Sequence, residues 1–242
     1  MNQIEICLAP KLFDHYENKD KITVIVDILR ATSIITTLFH NGLAKLIPVK
    51  SLAEAEHYKK QGFLVAAERN GKKIDFADFG NSPFEFTPEK VENKTLVYST
   101  TNGTNTINIA KDSEQVIIAS FLNMTSVVEF FADQKKDILI FCSGWQQDFC
   151  TEDFLFAGAL SEKLVATNNF GFDSDQVQVA MDQWEVAKEN LTEYIKKMHQ
   201  YKRLMQFGFE EIIHYCFKKD ISRVIPILQK DYLIDFNKLA SY

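Results

Sequence analysis

An acidic and a basic residue follow directly after an apolar, β-branched run near the start of the chain. Residues 22–26 read Ile-Thr-Val-Ile-Val, and Asp27, Arg30 and Thr32 come next, ahead of a helical pattern. In α/β proteins, ligands bind outside the carboxyl ends of the strands. Asp27 could therefore hold a cation or attack a phosphorus atom, and Arg30 could bind an anion through two parallel hydrogen bonds. The alternative is structural, with Asp27 capping a helix and Arg30 lying on the surface.

The same layout of strand, polar loop and helix occurs twice more. The run 95–98 is followed by a loop of hydroxyl and amide residues, namely Thr100, Thr101, Asn102, Gly103 and Thr104. The run 138–142 is followed by a loop containing Gly144, and then Glu152 and Asp153 begin a helical pattern. Small residues at a helix start present backbone N–H groups to oxyanions. Acidic residues in a first helical turn also favour the helix dipole without any ligand, so the structural alternative stays open here too.

Three further polar pairs lie in the loops of the same region. They are Glu68 and Arg69 after the run 63–67, Asn81 and Ser82 in the sequence Gly-Asn-Ser-Pro, and Ser120 and Asn123 after the run 115–119. Each pair could be an ordinary turn or cap when it is taken alone. Carboxylates suit Mg²⁺, and arginines suit phosphate or a second acidic group. Together, the polar loops predict metal-assisted chemistry on a small phosphorylated anion.

The elements that must position these residues alternate along the chain. Short apolar runs and helical patterns follow one another as far as residue 165, which predicts an α/β fold with a largely parallel sheet covered on both faces. From 177 to 205 the apolar residues keep helical spacing, so we expect one long or once-broken helix, then a short helix around 212–216 and a tail from Ile225. We expect a single domain, 1–242, in which 174–242 is a mostly helical addition packed on the body. Because the long helix could also contact a second copy, a homodimer stays open.

Composition limits the kinds of partner that the protein can bind and its cellular location. The 242 residues carry a formal net charge of −6, which argues against nucleic-acid binding because that needs a basic face. We expect no membrane partner, since no apolar run approaches the length of a membrane span and no signal peptide is evident at the start. The four cysteines are scattered without metal-ligand spacing, so we expect free thiols and a cytoplasmic location.

The combination of motifs resembles a known family. The motifs are Asp27-Ile-Leu-Arg-Ala-Thr32, Glu68-Arg-Asn-Gly71, Gly80-Asn-Ser-Pro83, Thr100-Thr-Asn-Gly-Thr104, Ser120 with Asn123, Glu152-Asp153 with Ala157-Gly158, and a tail that contains Arg203-Leu204. In this order and spacing they are similar to 2-phosphosulfolactate phosphatase, a Mg²⁺-dependent phosphatase family of coenzyme M biosynthesis. The match extends from residue 4 to residue 230. It implies a three-layer α/β/α fold and hydrolysis of 2-phospho-3-sulfolactate to 3-sulfolactate and phosphate.

The resemblance implies that most of these polar residues line one site, and we assign their roles as a hypothesis. Asp27, Arg30, Glu152 and Asp153 would be catalytic, with Asp27, Glu152 and Asp153 holding Mg²⁺. The substrate-binding residues would be Thr32, Glu68, Arg69, Asn81, Ser82, Thr100, Thr101, Asn102, Gly103, Thr104, Ser120, Asn123, Gly144 and Arg203. We expect Arg30, Arg69 or Arg203 to pair with the sulfonate and carboxylate of the substrate. Two alternatives are a phosphatase for a related small phospho-hydroxy acid and a non-catalytic anion-binding protein. Whether Asp27 is a nucleophile or a metal ligand stays open.

Overall fold

The computed structural model describes residues 1–241, which contain eleven strands and ten α-helices. The strands are β1 (Asn2–Cys7), β2 (Ile22–Val26), β3 (Lys45–Pro48), β4 (Leu64–Arg69), β5 (Lys72–Lys73), β6 (Thr95–Ser99), β7 (Gln115–Ala119), β8 (Ile138–Cys142), β9 (Phe170–Gly171), β10 (Pro226–Gln229) and β11 (Tyr232–Asp235). The helices are α1 (Ala31–His40), α2 (Leu52–Lys60), α3 (Pro88–Val91), α4 (Gly103–Ile109), α5 (Met124–Ala132), α6 (Thr151–Val165), α7 (Asp175–Lys188), α8 (Leu191–Ile195), α9 (His199–Met205) and α10 (Glu210–Cys216).

All eleven strands form one sheet in the order β5-β4-β6-β3-β11-β10-β7-β2-β8-β1-β9. The strands β7, β2, β8, β1 and β9 pair in parallel, and so do β3, β6 and β4. Between these two sets lies the antiparallel hairpin of β10 and β11, which pairs with β7 on one side and with β3 on the other. The expectation of a mixed α/β fold with a mostly parallel sheet is therefore confirmed.

Helices cover both faces of the sheet, as a three-layer α/β/α arrangement requires. Side chains of α5, α6 and α7 pack on one face of β2, β7 and β8 in a single hydrophobic cluster. Helix α1 is buried along nearly its whole length, and its apolar residues share a second cluster with side chains from both parallel sets. Helix α2, which begins with a capping box between Ser51 and Glu54, lies near the outer face of β4 and β6. Helix α1 thus lies where it can bring the loops of both sets together.

Three segments differ from their expected structure. Glu68 and Arg69 are the last residues of β4 rather than part of a turn. They continue the strand and pair with Lys73 and Lys72 of β5 in antiparallel orientation. The predicted long helix is three helices, α7 to α9, and Asn190 caps the second by accepting a hydrogen bond from the Glu193 N–H. The segment 174–242 is mostly helical, as expected, with α-helices as far as residue 216 and a 3₁₀ helix at Phe236–Ser241. Its tail contains β10 and β11, which lie in the middle of the sheet.

Two expectations from composition can be compared with the described residues. No helix within residues 1–241 combines the length and the apolar character needed to cross a bilayer. All four cysteines are free and buried, as the sequence predicts. Burial raises the pKa of the Cys142 thiol well above its usual value, so this residue serves packing in β8 rather than nucleophilic chemistry.

Candidate active site

Residues at or just after the carboxyl ends of β2, β4, β6 and β8 meet around one small cavity. Its lining consists of Asp27, Leu29, Arg30, Ala31, Glu68, Asn81, Thr100, Asn102, Trp145 and Arg203. We call it the catalytic cavity. Its volume is about 20 Å³, which is enough for about one water molecule, since roughly 10–15 Å³ is the minimum for one. The predicted loops therefore converge, although they belong to two parallel sets of strands rather than to one.

Asp27 is held at the end of β2 by the start of α1. The Thr32 hydroxyl lies 3.0 Å from both the N–H and the carbonyl of Asp27, and the Ala31 N–H donates to Asp27 Oδ1 at 3.2 Å. Gly103 approaches from α4 so closely that a Cβ atom there would lie 2.8 Å from Asp27 Oδ2 and 2.4 Å from the Ala31 Cβ. Only glycine fits this contact, so Thr32 and Gly103 position Asp27 rather than face the cavity.

Glu152 and Asp153 lie in the first turn of α6 and are almost completely buried. The two oxygens of Asp153 accept hydrogen bonds of 2.9 Å from the N–H groups of Ile28 and Gly144. Asp153 therefore ties the loop after β2 to the loop after β8. Gly144 has φ +61° and leaves no room for a Cβ atom beside the Asp148 carbonyl. Glu152 accepts a hydrogen bond from the Cys150 thiol.

The three buried carboxyl groups repel one another and lack full solvation. Burial, and to a smaller extent the Glu68 carboxylate, raise the pKa of Asp27 to about 6. Burial raises the pKa of Glu152 to about 7, with a further contribution from Asp27. The pKa of Asp153 also lies well above its usual value, because of burial and because of Asp27 and Glu152. Their hydrogen-bond donors are backbone N–H groups and a thiol, so a cation bound nearby would relieve the repulsion.

Two arginines, Arg30 and Arg203, line the cavity, and each lies over an aromatic ring. The Arg30 guanidinium carbon is 4.7 Å from the centre of the Phe209 ring, and that of Arg203 is 3.9 Å from the centre of the Trp145 ring. Arg203 Nε also donates to Gln200 Oε1 at 2.5 Å. Burial and the neighbouring Arg30 lower the pKa of Arg203. Two mutually repelling cations beside one cavity suit an anionic ligand.

The remaining lining residues are held by hydrogen bonds to one another. Glu68 accepts from the backbone N–H and the hydroxyl of Thr101, at 3.0 and 2.9 Å, and from the Gly71 N–H at 2.7 Å. The hydroxyls of Thr100 and Thr104 each accept the other's backbone N–H. Asn81 accepts a hydrogen bond from the Tyr98 hydroxyl. Glu68, Asn81 and Thr100 line the cavity, while Thr101 and Thr104 support them.

Eleven of the eighteen sequence-predicted site residues are not part of the cavity lining. Seven of them lie around the lining residues as described above, namely Thr32, Thr101, Gly103, Thr104, Gly144, Glu152 and Asp153, and the other four make separate contacts. The Arg69 guanidinium donates to the Glu68 carbonyl and to Ser99, so it is committed to the backbone of β4 and β6. Ser120 and Asn123 form a buried capping box at the start of a 3₁₀ segment, and the Asn123 amide donates to two carbonyls. Ser82 is partly buried next to Asn81 but lies outside the lining. Their polarity in the sequence reflects turn and cap formation.

The sequence did not single out the aromatic partners of the arginines. Trp145 belongs to the loop after β8, and Phe209 follows Gly208 at the start of α10. A tryptophan in an otherwise polar loop is the one signal that could have indicated Trp145. Phe209 belongs to the Gly208-Phe209 pair of the C-terminal tail, which also resembles the family. No local pattern predicts its contact with Arg30, because the two residues are far apart in the chain.

The donor chemistry of the site fits a hard divalent cation. Within residues 1–241 no group of three or more His, Cys, Asp or Glu side chains is already arranged around a common metal position. Mg²⁺ in phosphate-handling sites is typically held by one or two carboxylates together with substrate oxygens and water. Asp27, Glu152 and Asp153 offer buried carboxylate oxygens of this kind.

Comparison with known proteins identifies the family. A family model described as 2-phosphosulpholactate phosphatase matches residues 7–231. A protein of Thermotoga maritima named probable 2-phosphosulfolactate phosphatase is 42% identical over 209 residues, which cover 86% of this chain and 89% of the relative. Proteins with the same name from Caldanaerobacter subterraneus and Clostridium perfringens are 36% identical, over 215 residues (87% and 89%) and 225 residues (90% and 90%). The chain therefore belongs to the 2-phosphosulpholactate phosphatase family, whose name denotes phosphoric monoester hydrolases.

Proposed function

We propose that this protein is a Mg²⁺-dependent phosphatase that hydrolyses 2-phospho-3-sulfolactate to 3-sulfolactate and phosphate. The observation that carries the proposal is that two carboxyl groups, Asp27 and Glu68, and two arginines line one cavity. The buried carboxyl groups of Glu152 and Asp153 lie outside this lining but close enough to Asp27 for its charge to raise their pKa values. In a site that only bound an anion, the arginines would strengthen binding, whereas the carboxylates would weaken it, since like charges repel. Carboxylates and arginines together suit a cation that neutralises a phosphoryl group.

Different residues of the chain bind the substrate and the cation. Arg30 and Arg203 bind the anionic oxygens of the substrate, and the aromatic rings beneath them keep their N–H groups directed at the cavity. Thr100 and Asn102 line the cavity where phosphate oxygens would bind. Asp27, Glu152 and Asp153 hold the cation. When bound, Mg²⁺ supplies charge neutralisation at the phosphoryl oxygens and lowers the pKa of a coordinated water.

Mutation of two carboxylates tests this assignment. Phosphate release from 2-phospho-3-sulfolactate is measured with and without Mg²⁺ for the wild type, Asp27→Asn and Glu152→Gln. We expect loss of at least about 10²-fold in kcat for each variant, as for removal of a group that stabilises the transition state. Near-normal activity in both variants would refute the assignment.

Two further experiments address the alternatives that the sequence leaves open. Competition among phospho-sulfolactate, phospholactate and phosphoglycolate distinguishes a sulfonate-specific phosphatase from one for related phospho-hydroxy acids. Rapid-quench trapping of an acyl phosphate on Asp27 distinguishes a nucleophilic Asp27 from one that only binds the cation.

The proposed function also implies a pathway, a cellular location and an oligomeric state. With this substrate, the reaction would belong to coenzyme M biosynthesis, as the family resemblance implies. The four free thiols support a cytoplasmic location. A homodimer stays a prediction, and sedimentation of the full chain tests it.

A further inference from the structure

A second cavity adjoins the catalytic cavity and has a different chemical character. It is lined by Pro10, Thr101, Asn102, Asn105, Ser143, Gln146 and Gln147, and its volume is about 280 Å³. We call it the amide pocket. Its lining contains no charged side chain, whereas the catalytic cavity holds both arginines. Asn102 lines both cavities, so the two are neighbours.

The Ser143 side chain is the observation that points to a ligand. Ser143 follows β8 directly and is completely buried, and its hydroxyl has no hydrogen-bond partner among the described residues. A buried hydroxyl without a partner is unfavourable, because it has lost its hydrogen bonds to water. The same residue lines the amide pocket. The hydroxyl oxygen is itself inaccessible to solvent, so a hydrogen-bond acceptor bound in this pocket would reach and satisfy it once the neighbouring loop after β8 moves.

One loop contact lies beside Asn102, the residue that lines both cavities. The Gln146 N–H donates to Asn102 Oδ1 at 3.2 Å, and Trp145 and Asp148 form a short bridge around Gln146 and Gln147, which both have positive φ. Gln146 and Gln147 are exposed. The catalytic cavity has room for about one water, so a phosphorylated three-carbon acid needs more space than this cavity provides. Movement of the loop would join the two cavities.

We propose that the amide pocket is the subsite for the sulfonate group of the substrate, with the Ser143 hydroxyl and the Asn105 amide as donors. This proposal rests on the proposed function. A sulfonate is fully ionised and weakly basic, so neutral donors bind it without a proton equilibrium. Its three oxygens point in different directions and need donors from several elements, here the loop after β8 and helix α4. The phosphate and carboxylate stay with the arginines in the catalytic cavity.

The test compares KM values for 2-phospho-3-sulfolactate and phospholactate, which lacks the sulfonate. Ser143→Ala and Asn105→Asp should raise KM about tenfold or more for the first substrate, because each removes or repels a hydrogen bond to a charged group. KM for phospholactate should change less than twofold for Ser143→Ala. Ser161→Ala is the matched control, because Ser161 in α6 is also a completely buried serine without a partner and lies outside both cavities.

A binding measurement separates failure of this proposal from failure of the proposed function. Calorimetric titration with 3-sulfolactate is carried out on the wild type, Ser143→Ala and Ser161→Ala in the presence of Mg²⁺. Weaker binding in Ser143→Ala alone supports the subsite, even if the wild type releases no phosphate from the phosphorylated compound. Equal KM changes for both substrates, equal affinities in all three proteins, or no binding of 3-sulfolactate to the wild type would each overturn the subsite.

Discussion

Replacement of Glu152 by Gln should stabilise the metal-free protein at alkaline pH. Glu152 is buried beside Asp27, and its pKa is about 7 in the folded protein against an ordinary value of 4.5. Gln has nearly the same shape and no charge, and the hydrogen bonds to Glu152 come only from its own N–H and the Cys150 thiol. The substitution therefore removes the unfavourable burial of a charge while leaving the surrounding contacts in place.

The pH dependence gives the size and the sign of the effect. Because the folded protein binds the Glu152 proton more tightly than the unfolded chain, this carboxyl group destabilises the fold progressively as pH rises from about 4 to about 7. The cost approaches about 3 kcal/mol at pH 8 and is about 1 kcal/mol at pH 5. Glu152→Gln should therefore exceed the wild type in unfolding free energy by about 3 kcal/mol at pH 8.

Urea unfolding with a chelator present measures this difference at pH 5 and pH 8. Addition of Mg²⁺ at pH 8 should stabilise the wild type more than the variant, because the variant has lost one carboxylate ligand. The reasoning is refuted if the variant is less stable than the wild type at pH 8, or if their difference is the same at both pH values.

Three other substitutions test separate contacts of the site. Gly103→Ala should destabilise the protein by about 2 kcal/mol in urea unfolding, because its Cβ would overlap Ala31 and crowd Asp27; unchanged stability would contradict the close approach. Arg203→Lys should raise KM about tenfold, since lysine keeps the charge but loses the stacking on Trp145 and the paired donors; an unchanged KM would remove Arg203 from substrate binding. Tyr98→Phe should cost about 1–2 kcal/mol of stability, because it leaves the Asn81 carbonyl oxygen without its donor, and equal stability of the two proteins would count against that hydrogen bond.

The parts of the fold that the sequence could predict are those set by local pattern. Strands β2, β7 and β8 were predicted with the bounds that the structure gives, because apolar β-branched runs end there at polar loops. The helical periodicity from 177 to 205 correctly predicts which residues face the core. The pattern of apolar residues would be the same for one helix as for three. The breaks near Asn190 and Met198 keep the apolar face in phase, so periodicity could not reveal them.

In the candidate site, too, the sequence predicts the contacts set by local pattern and misses those set by the fold. Asp27, Arg30 and Thr100 line the cavity as predicted, because the end of a strand fixes where the next residues lie. The sequence could not decide which arginine joins Arg30, since Arg69 and Arg203 have equal chemistry. Only the fold turns Arg69 towards Ser99 and brings Arg203 from α9 to the cavity.

The position of β10 and β11 has a consequence for protein synthesis. These strands are synthesised after the other nine, yet β10 is the inner neighbour of β7 and β11 is the inner neighbour of β3. Until residue 235 has been synthesised, β7 and β3 remain open edges that can pair with other chains. A message with a premature stop codon near position 225 would thus yield two sets of parallel strands without the hairpin that joins them. Such a product is a substrate for chaperones and proteases, although every residue lining the catalytic cavity would already have been translated.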